Sequence, residues 1–276
     1  MIWDGLRLAV SLLSVFPSWG RTDSKVSRNT AAAAMAWAPA VGLGLGAIAA
    51  AVLVGADRLL RTGPLLAAVL AIASLALLTR GLHLDGLADL ADGLGSGKPA
   101  PQALEVMRRP DIGPFGVATL VLTLLAQVAA LAQAQSRGAA GAVGSVGGVG
   151  NTAAAGHGAA AVVAATVAGR LAITWACRRG VPAARPKGLG ALVAGTLPAT
   201  VPAVITAAVA GLAALCGWLL DVPWDGWLLP VGIVAGLAAS FVLAGHAVRR
   251  LGGITGDVLG ALSEIAATVC LVVIAA

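Results

Sequence analysis

The sequence predicts an all-α integral membrane protein: a polytopic bundle of about seven transmembrane helices with an N-terminal interfacial helix, folded as a single domain over residues 1–276. Three observations carry this. Of the 276 residues, 59% are hydrophobic and 11% charged, and the mean hydropathy is +0.93. With 18 Lys and Arg and 12 Asp and Glu, the charged residues are too few to cover a soluble globule, so much apolar surface must face lipid. The apolar residues fall in blocks of about the 20 residues that cross a bilayer, and the basic residues collect in alternate connections between them.

Residues 5–16 are apolar but too short to cross, and no small-residue cleavage site follows, which predicts an interfacial helix and not a signal peptide. The seven candidate spans are residues 31–56, 64–80, 113–135, 151–177, 191–217, 227–245 and 258–276. The second is short unless it extends into the following residues, and Gly156-His157-Gly158 leaves the start of the fourth open by several residues. In the first span, Gly42-Leu-Gly-Leu-Gly46 permits close helix contact. The Gly-rich stretch 138–150 is followed by no GK[ST] and preceded by no strand, so it reads as a flexible linker and not a phosphate loop. Cys177, Cys216 and Cys270 lie in apolar stretches without metal-ligand spacing and read as packing residues.

Lys and Arg set the orientation. Fifteen of the 18 fall in the N-terminal segment, residues 80–112, residues 170–190 and residues 246–257; the alternate connections hold only Arg58, Arg61 and Arg137. The N terminus and the three charged connections are therefore expected in the cytoplasm, with the chain multi-pass in the cell (inner) membrane. Trp218, Trp224 and Trp227, around Asp221 and Asp225, form the aromatic belt of an outer turn. The net charge of +6 serves this orientation. It lies in short runs and not along one face, so no nucleic-acid partner is expected, and the lipid bilayer is the partner instead.

Seven of the twelve acidic residues lie in two cytoplasmic regions: Asp85, Asp89, Asp92, Glu105 and Asp111, then Asp257 and Glu264. In His83-Leu-Asp85-Gly-Leu-Ala-Asp89-Leu-Ala-Asp92-Gly the aspartates are spaced i, i+4 and i+7, which puts them on one helix face. Such a face, flanked by Leu and Ala, is costly without a cation, and hard oxygen ligands suit Mg²⁺ or Mn²⁺. Mg²⁺ binds through few carboxylates together with substrate phosphates, which implies a diphosphate substrate. Arg108, Arg109, Arg170, Arg178, Arg179, Arg185 and Lys187 are available to its oxygens; each also satisfies the positive-inside bias alone. Glu264, inside the last span, is a functional candidate by location. His83 reads either as a substrate contact or base, or as a structural histidine. His157 and His246 carry no assignment.

At these residues the chain resembles the adenosylcobinamide-GDP ribazoletransferase (cobalamin synthase) family. The likeness rests on Gly81-Leu-His-Leu-Asp-Gly-Leu-Ala-Asp-Leu-Ala-Asp-Gly93, on Val106-Met-Arg-Arg-Pro-Asp-Ile-Gly-Pro-Phe-Gly-Val117, and on Leu251-Gly-Gly-Ile-Thr-Gly-Asp-Val-Leu-Gly-Ala261 followed by Glu264. It extends over nearly the whole chain, including Phe16-Pro17 and Ala38-Pro-Ala-Val-Gly-Leu-Gly44. The resemblance implies a Mg²⁺-dependent membrane transferase that joins α-ribazole, or its 5′-phosphate, to adenosylcobinamide-GDP and releases GMP. Carried over residue by residue, it implies Asp85, Asp89, Asp92, Asp257 and Glu264 as metal ligands. His83 and the three aspartates of the first motif are then the catalytic set, while Arg108, Arg109, Asp111, Gly113, Gly116, Arg170, Lys187, Thr255 and Gly256 contact substrate. One departure stands in the second motif: many relatives place an acidic residue before its Pro or Ser and a basic one after, whereas here Arg109 precedes Pro110 and Asp111 follows. Association with other late enzymes of cobalamin synthesis is implied by family membership alone, and an oligomer is left open.

Two other readings compete. An intramembrane prenyltransferase also uses Asp and Mg²⁺ on a diphosphate, but it needs a second aspartate-rich motif, and Gly256-Asp-Val-Leu-Gly-Ala261 is not one. A cation-coupled transporter buries acids near the midplane of paired repeats; here the acids crowd toward one side and no repeat is visible.

Overall fold

The computed structural model describes residues 2–17, 26–140, 150–219 and 227–276. The expectations placed on Arg21, Lys25, Asp221, Trp224, Asp225 and the Gly-rich residues 141–149 lie outside them.

The described residues form eleven helices: α1 (Ile2–Leu13), α2 (Arg28–Arg58), α3 (Gly63–Leu78), α4 (Leu82–Gly95), α5 (Ala100–Val106), α6 (Pro114–Ala140), α7 (Gly150–Ala176), α8 (Leu189–Val193), α9 (Thr200–Leu219), α10 (Leu228–Leu251) and α11 (Gly256–Ala275). Five of them, α2, α6, α7, α10 and α11, are long and apolar enough to cross a membrane. Two further apolar stretches, α3 and Thr200–Cys216 of α9, fall short of that length, and the expected seven spans are reached only by counting both.

Two boundaries differ from expectation. The second block does not extend straight onward: Arg80 and Gly81 both take positive φ, 55° and 66°, and α4 leaves α3 at 87°. That turn lays α4 across the end of the bundle, over the first turns of both α11 and α6, so α4 is not a span. The fifth block is divided, because Gly195 with φ 68° and Pro198 separate the short α8 from α9.

The centre of the bundle is α7 against α2 and α11. A Cβ at Gly42 would lie 2.7 Å from the Thr166 carbonyl oxygen, and one at Gly46 would lie 2.9 Å from the Val163 Cα. Glycine there lets the backbones of α2 and α7 touch, as the sequence predicts. Among the three cysteines, Cys177 and Cys270 are buried but Cys216 is exposed. Packing of α9 on its neighbours is loose, and Cys216 lines an apolar groove of about 600 Å³ with Trp37, Val163, Ile205, Leu212 and Ile233.

The basic connections meet at one end. There α1 packs on α2 with Ala9 and Leu13 buried, the Val15 N–H donates to the Leu78 carbonyl (2.7 Å), and Arg80 donates to the Ser14 carbonyl (3.2 Å). Arg28, at the start of α2, donates to the Ala191 and Ala194 carbonyls of the α8 segment. Residues 177–188 are held against the turn before α11: the Ile254 N–H donates to the Pro182 carbonyl (2.9 Å) and the Ala184 N–H to the Ile254 carbonyl (3.0 Å). The opposite end carries Arg137, whose guanidinium donates to the Ala276 carbonyl, and the exposed Trp218 and Trp227.

Candidate active site

The site is built where α4 crosses α11. At the crossing, a Cβ on Gly86 would stand 2.9 Å from the Asp257 Cα. The two backbones are therefore in contact, and Asp85 and Asp89 flank Asp257. Thr255 caps α11: its Oγ1 accepts from the Val258 N–H (3.2 Å) and donates to Asp257 Oδ2 (3.1 Å), which fixes that carboxylate at the helix N-terminus. Asp85 is exposed and Asp89 half-buried. Burial first, then the neighbouring Asp85, Asp257 and Asp92, pushes the Asp89 carboxyl up to about 7, against the pull of Arg185. Carboxylates that raise one another in this way favour a cation among them.

Asp92 is engaged elsewhere. Its Oδ2 accepts from the Gly113 N–H (2.7 Å) and its Oδ1 from the Gly116 N–H (2.9 Å), so it caps α6 from another helix. These are charge-assisted bonds at a positive helix end. A Cβ on either glycine would run into this carboxylate, which accounts for the Gly-Pro-Phe-Gly spacing. Gly113 and Gly116, expected as substrate contacts, serve Asp92.

Arg185 faces the cluster from the 177–188 connection. Its Nη1 lies 3.6 Å from Asp257 Oδ2, and its Nη2 donates to the Leu104 carbonyl of α5 (2.8 Å). Burial lowers its pKa, Asp257 and Asp89 sustain its charge, and the nearby Arg108 works against it. Arg109, Asp111 and Lys187 are exposed on the same end, and Gly256 opens α11 beside Leu189.

Three expected site residues lie apart. His83 sits two residues before Asp85, about 200° around the helix, and points into the bundle. It is 2% exposed, and neither ring nitrogen has a hydrogen-bond partner among the described residues. Burial, then Arg170, holds its pKa well below the usual His range, so the ring is neutral. Glu264 lies two helical turns beyond Asp257, and its Oε2 accepts from Gln127 Nε2 (2.8 Å). Arg170, 4% exposed, lines with Glu264, Gln127, Thr79 and Thr166 a cavity of about 30 Å³, enough for a water or two. Gln127 carries no charge and gave the sequence reading little to notice beyond an amide in an apolar helix.

Among the described residues, no three His, Cys, Asp or Glu side chains close around one point as a metal cage. What the crossing offers is an open set of hard oxygens, Asp85, Asp89 and Asp257. That suits a cation which keeps waters and takes phosphate oxygens for its remaining positions, as Mg²⁺ does.

Fold and site together define a polytopic membrane enzyme with a carboxylate-lined site at its basic end. The CobS family, described as cobalamin-5-phosphate synthase, matches residues 5–275, and the chain belongs to it. Among curated relatives, the adenosylcobinamide-GDP ribazoletransferase of Frankia casuarinae is 41% identical over 98% of this chain and 93% of its own length. Proteins of the same name from Nocardioides sp. and Bradyrhizobium diazoefficiens are each 37% identical, over 95% and 98% of this chain and 94% and 93% of their own lengths. No solved structure matches the chain.

Proposed function

We propose that this chain joins α-ribazole, or its 5′-phosphate, to adenosylcobinamide-GDP at the α4–α11 crossing, releasing GMP on the cytoplasmic side of the membrane. The observation that carries the placement is the convergence of Asp85, Asp89 and Asp257 beside Arg185, at the end of the bundle where the basic connections meet. The ribazoletransferase names of relatives matched over nearly their full length supply the substrates.

In this reading Mg²⁺ would be held by carboxylates of the open set Asp85, Asp89 and Asp257, not by all three closed on one point, and would supply charge neutralisation to the diphosphate. Thr255 keeps Asp257 aimed at the crossing. Arg185 and Arg108 take phosphate oxygens, and Asp92 holds α4 on α6 so that the aspartate face keeps its angle. The ribazole hydroxyl attacks the cobinamide-proximal phosphorus in line as the bond to the GMP oxygen breaks, and an aspartate at the crossing accepts the hydroxyl proton. His83 is on the opposite face of α4 and takes no part in that transfer. Both buried cysteines are held as thiols in the packed interior, and a phosphorylated intermediate is not required.

Purified protein in lipid nanodiscs is expected to release one GMP for each cobalamin (or its phosphate) formed, only with both substrates and Mg²⁺ present. GMP release that does not depend on ribazole would contradict the reading, as would transfer of a prenyl group instead.

A further inference from the structure

The 177–188 connection is fixed and not free to drift. A Cβ at Gly253 would meet the Ala183 carbonyl carbon and the Pro182 carbonyl oxygen at 2.5 Å each, and the paired hydrogen bonds at Ile254 lock the two segments backbone to backbone. Arg185 is thereby delivered to the aspartates from a rigid support. Its side chain is 17% exposed and its three nitrogens have three different surroundings. Nη2 is held by Leu104 of α5, and Nη1 faces Asp257 at 3.6 Å. Nε is buried and, among the described residues, has no acceptor.

The contact to Asp257 is long for a charge-assisted pair, which closes to about 2.7–2.9 Å when direct. It is an electrostatic contact that can be exchanged without breaking a strong hydrogen bond. A divalent cation on Asp257 would stand within a few ångströms of the guanidinium, and the two charges would repel. Diphosphate oxygens bound to that cation would in turn present two acceptors to the planar fork, a geometry Arg satisfies and Lys does not.

We propose that Arg185 stands in for the cation on Asp257 while the site is empty and moves to the substrate's diphosphate when the cation binds, making cation and diphosphate bind cooperatively. The inference rests on the metal reading above, and it makes Arg185, absent from the residues the motifs nominate, the coupling element between the two ligands.

Mn²⁺ binding by the purified full-length chain in nanodiscs, followed by the EPR signal of free Mn²⁺ with and without GDP as the diphosphate probe and against a protein-free control, tests it. In the natural chain GDP is expected to tighten Mn²⁺ binding. Arg185→Gln removes the competing cation, so the chain without GDP should bind Mn²⁺ about fivefold tighter, while the enhancement by GDP should shrink to what its direct contact with the cation supplies. Arg185→Lys keeps the charge and loses the fork: Mn²⁺ affinity without GDP should stay within about twofold and the GDP enhancement should fall by about tenfold. A merely structural role at Leu104 would weaken Mn²⁺ binding in both variants or leave it unchanged. Arg185→Gln binding Mn²⁺ no tighter than the natural chain overturns the inference, as does Arg185→Lys with its GDP enhancement intact. A natural chain that binds no Mn²⁺, with or without GDP, removes the metal reading itself, which is a separate and distinguishable failure.

Discussion

Replacing Asp92 by Asn is expected to loosen the join between α4 and α6 while leaving metal binding in place. In the natural chain both carboxylate oxygens accept backbone N–H groups, at 2.7 Å from Gly113 and 2.9 Å from Gly116, and bonds to a charged acceptor contribute about 1.5–3 kcal/mol each. Asn keeps one acceptor, now neutral, and turns its NH₂ toward a backbone donor. One charged bond is lost outright and the other weakened, so the variant should lose about 3 kcal/mol. The assay is unfolding of the detergent-purified protein by denaturant, paired with Mn²⁺ affinity. Stability should fall while Mn²⁺ affinity changes by no more than about threefold, the modest effect of removing one nearby charge. Unchanged stability with Mn²⁺ binding lost would refute the assignment and return Asp92 to the metal.

Four further outcomes follow from the same reading. Asp89→Asn should lower turnover by orders of magnitude with membrane insertion intact, and near-normal turnover at limiting Mg²⁺ would take Asp89 out of the site. Because burial and the neighbouring carboxylates push the Asp89 carboxyl up to about 7 and a cation needs the ionised form, Mn²⁺ affinity in the natural chain should weaken as pH falls through 7, and a flat profile from pH 8 to 5.5 would contradict this. Glu264→Gln preserves the shape opposite Gln127 but removes the negative charge sharing a cavity with Arg170; it should cost about 3–5 kcal/mol in unfolding measurements without altering Mn²⁺ affinity, and the reverse pattern would make Glu264 a ligand. A single cysteine at Lys98, in an otherwise cysteine-free chain, should react with an impermeant reagent only when the cytoplasmic face is open to it, and labelling from outside would invert the topology.

Much of this was legible in the residues. The i, i+4, i+7 aspartates form a helical face because α4 is helical throughout, and Gly42 and Gly46 mark a close approach because each lies against α7. The angle of α4 was not legible. It depends on two consecutive residues with positive φ, one of them Arg80, and nothing in the residue types at 79–81 fixes the direction the chain takes after them. The part played by Asp92 was hidden for a different reason: its partners are backbone N–H groups more than twenty residues away, which have no side-chain signature. The placement of His83 could have been read, since a two-residue offset puts it on the far face of a helix from Asp85. Its adjacency in the motif pointed the other way. Arg185 looked like one more cation in a basic connection until the backbone pairing at Ile254 brought it to Asp257.

The most direct test of a single displacement at this site is the stereochemistry of the transfer. With adenosylcobinamide-GDP made chiral at the cobinamide-proximal phosphorus by sulfur and oxygen-isotope substitution, in-line attack by the ribazole hydroxyl predicts inversion in the product. Net retention would require two displacements through a phosphorylated side chain, and would contradict the account.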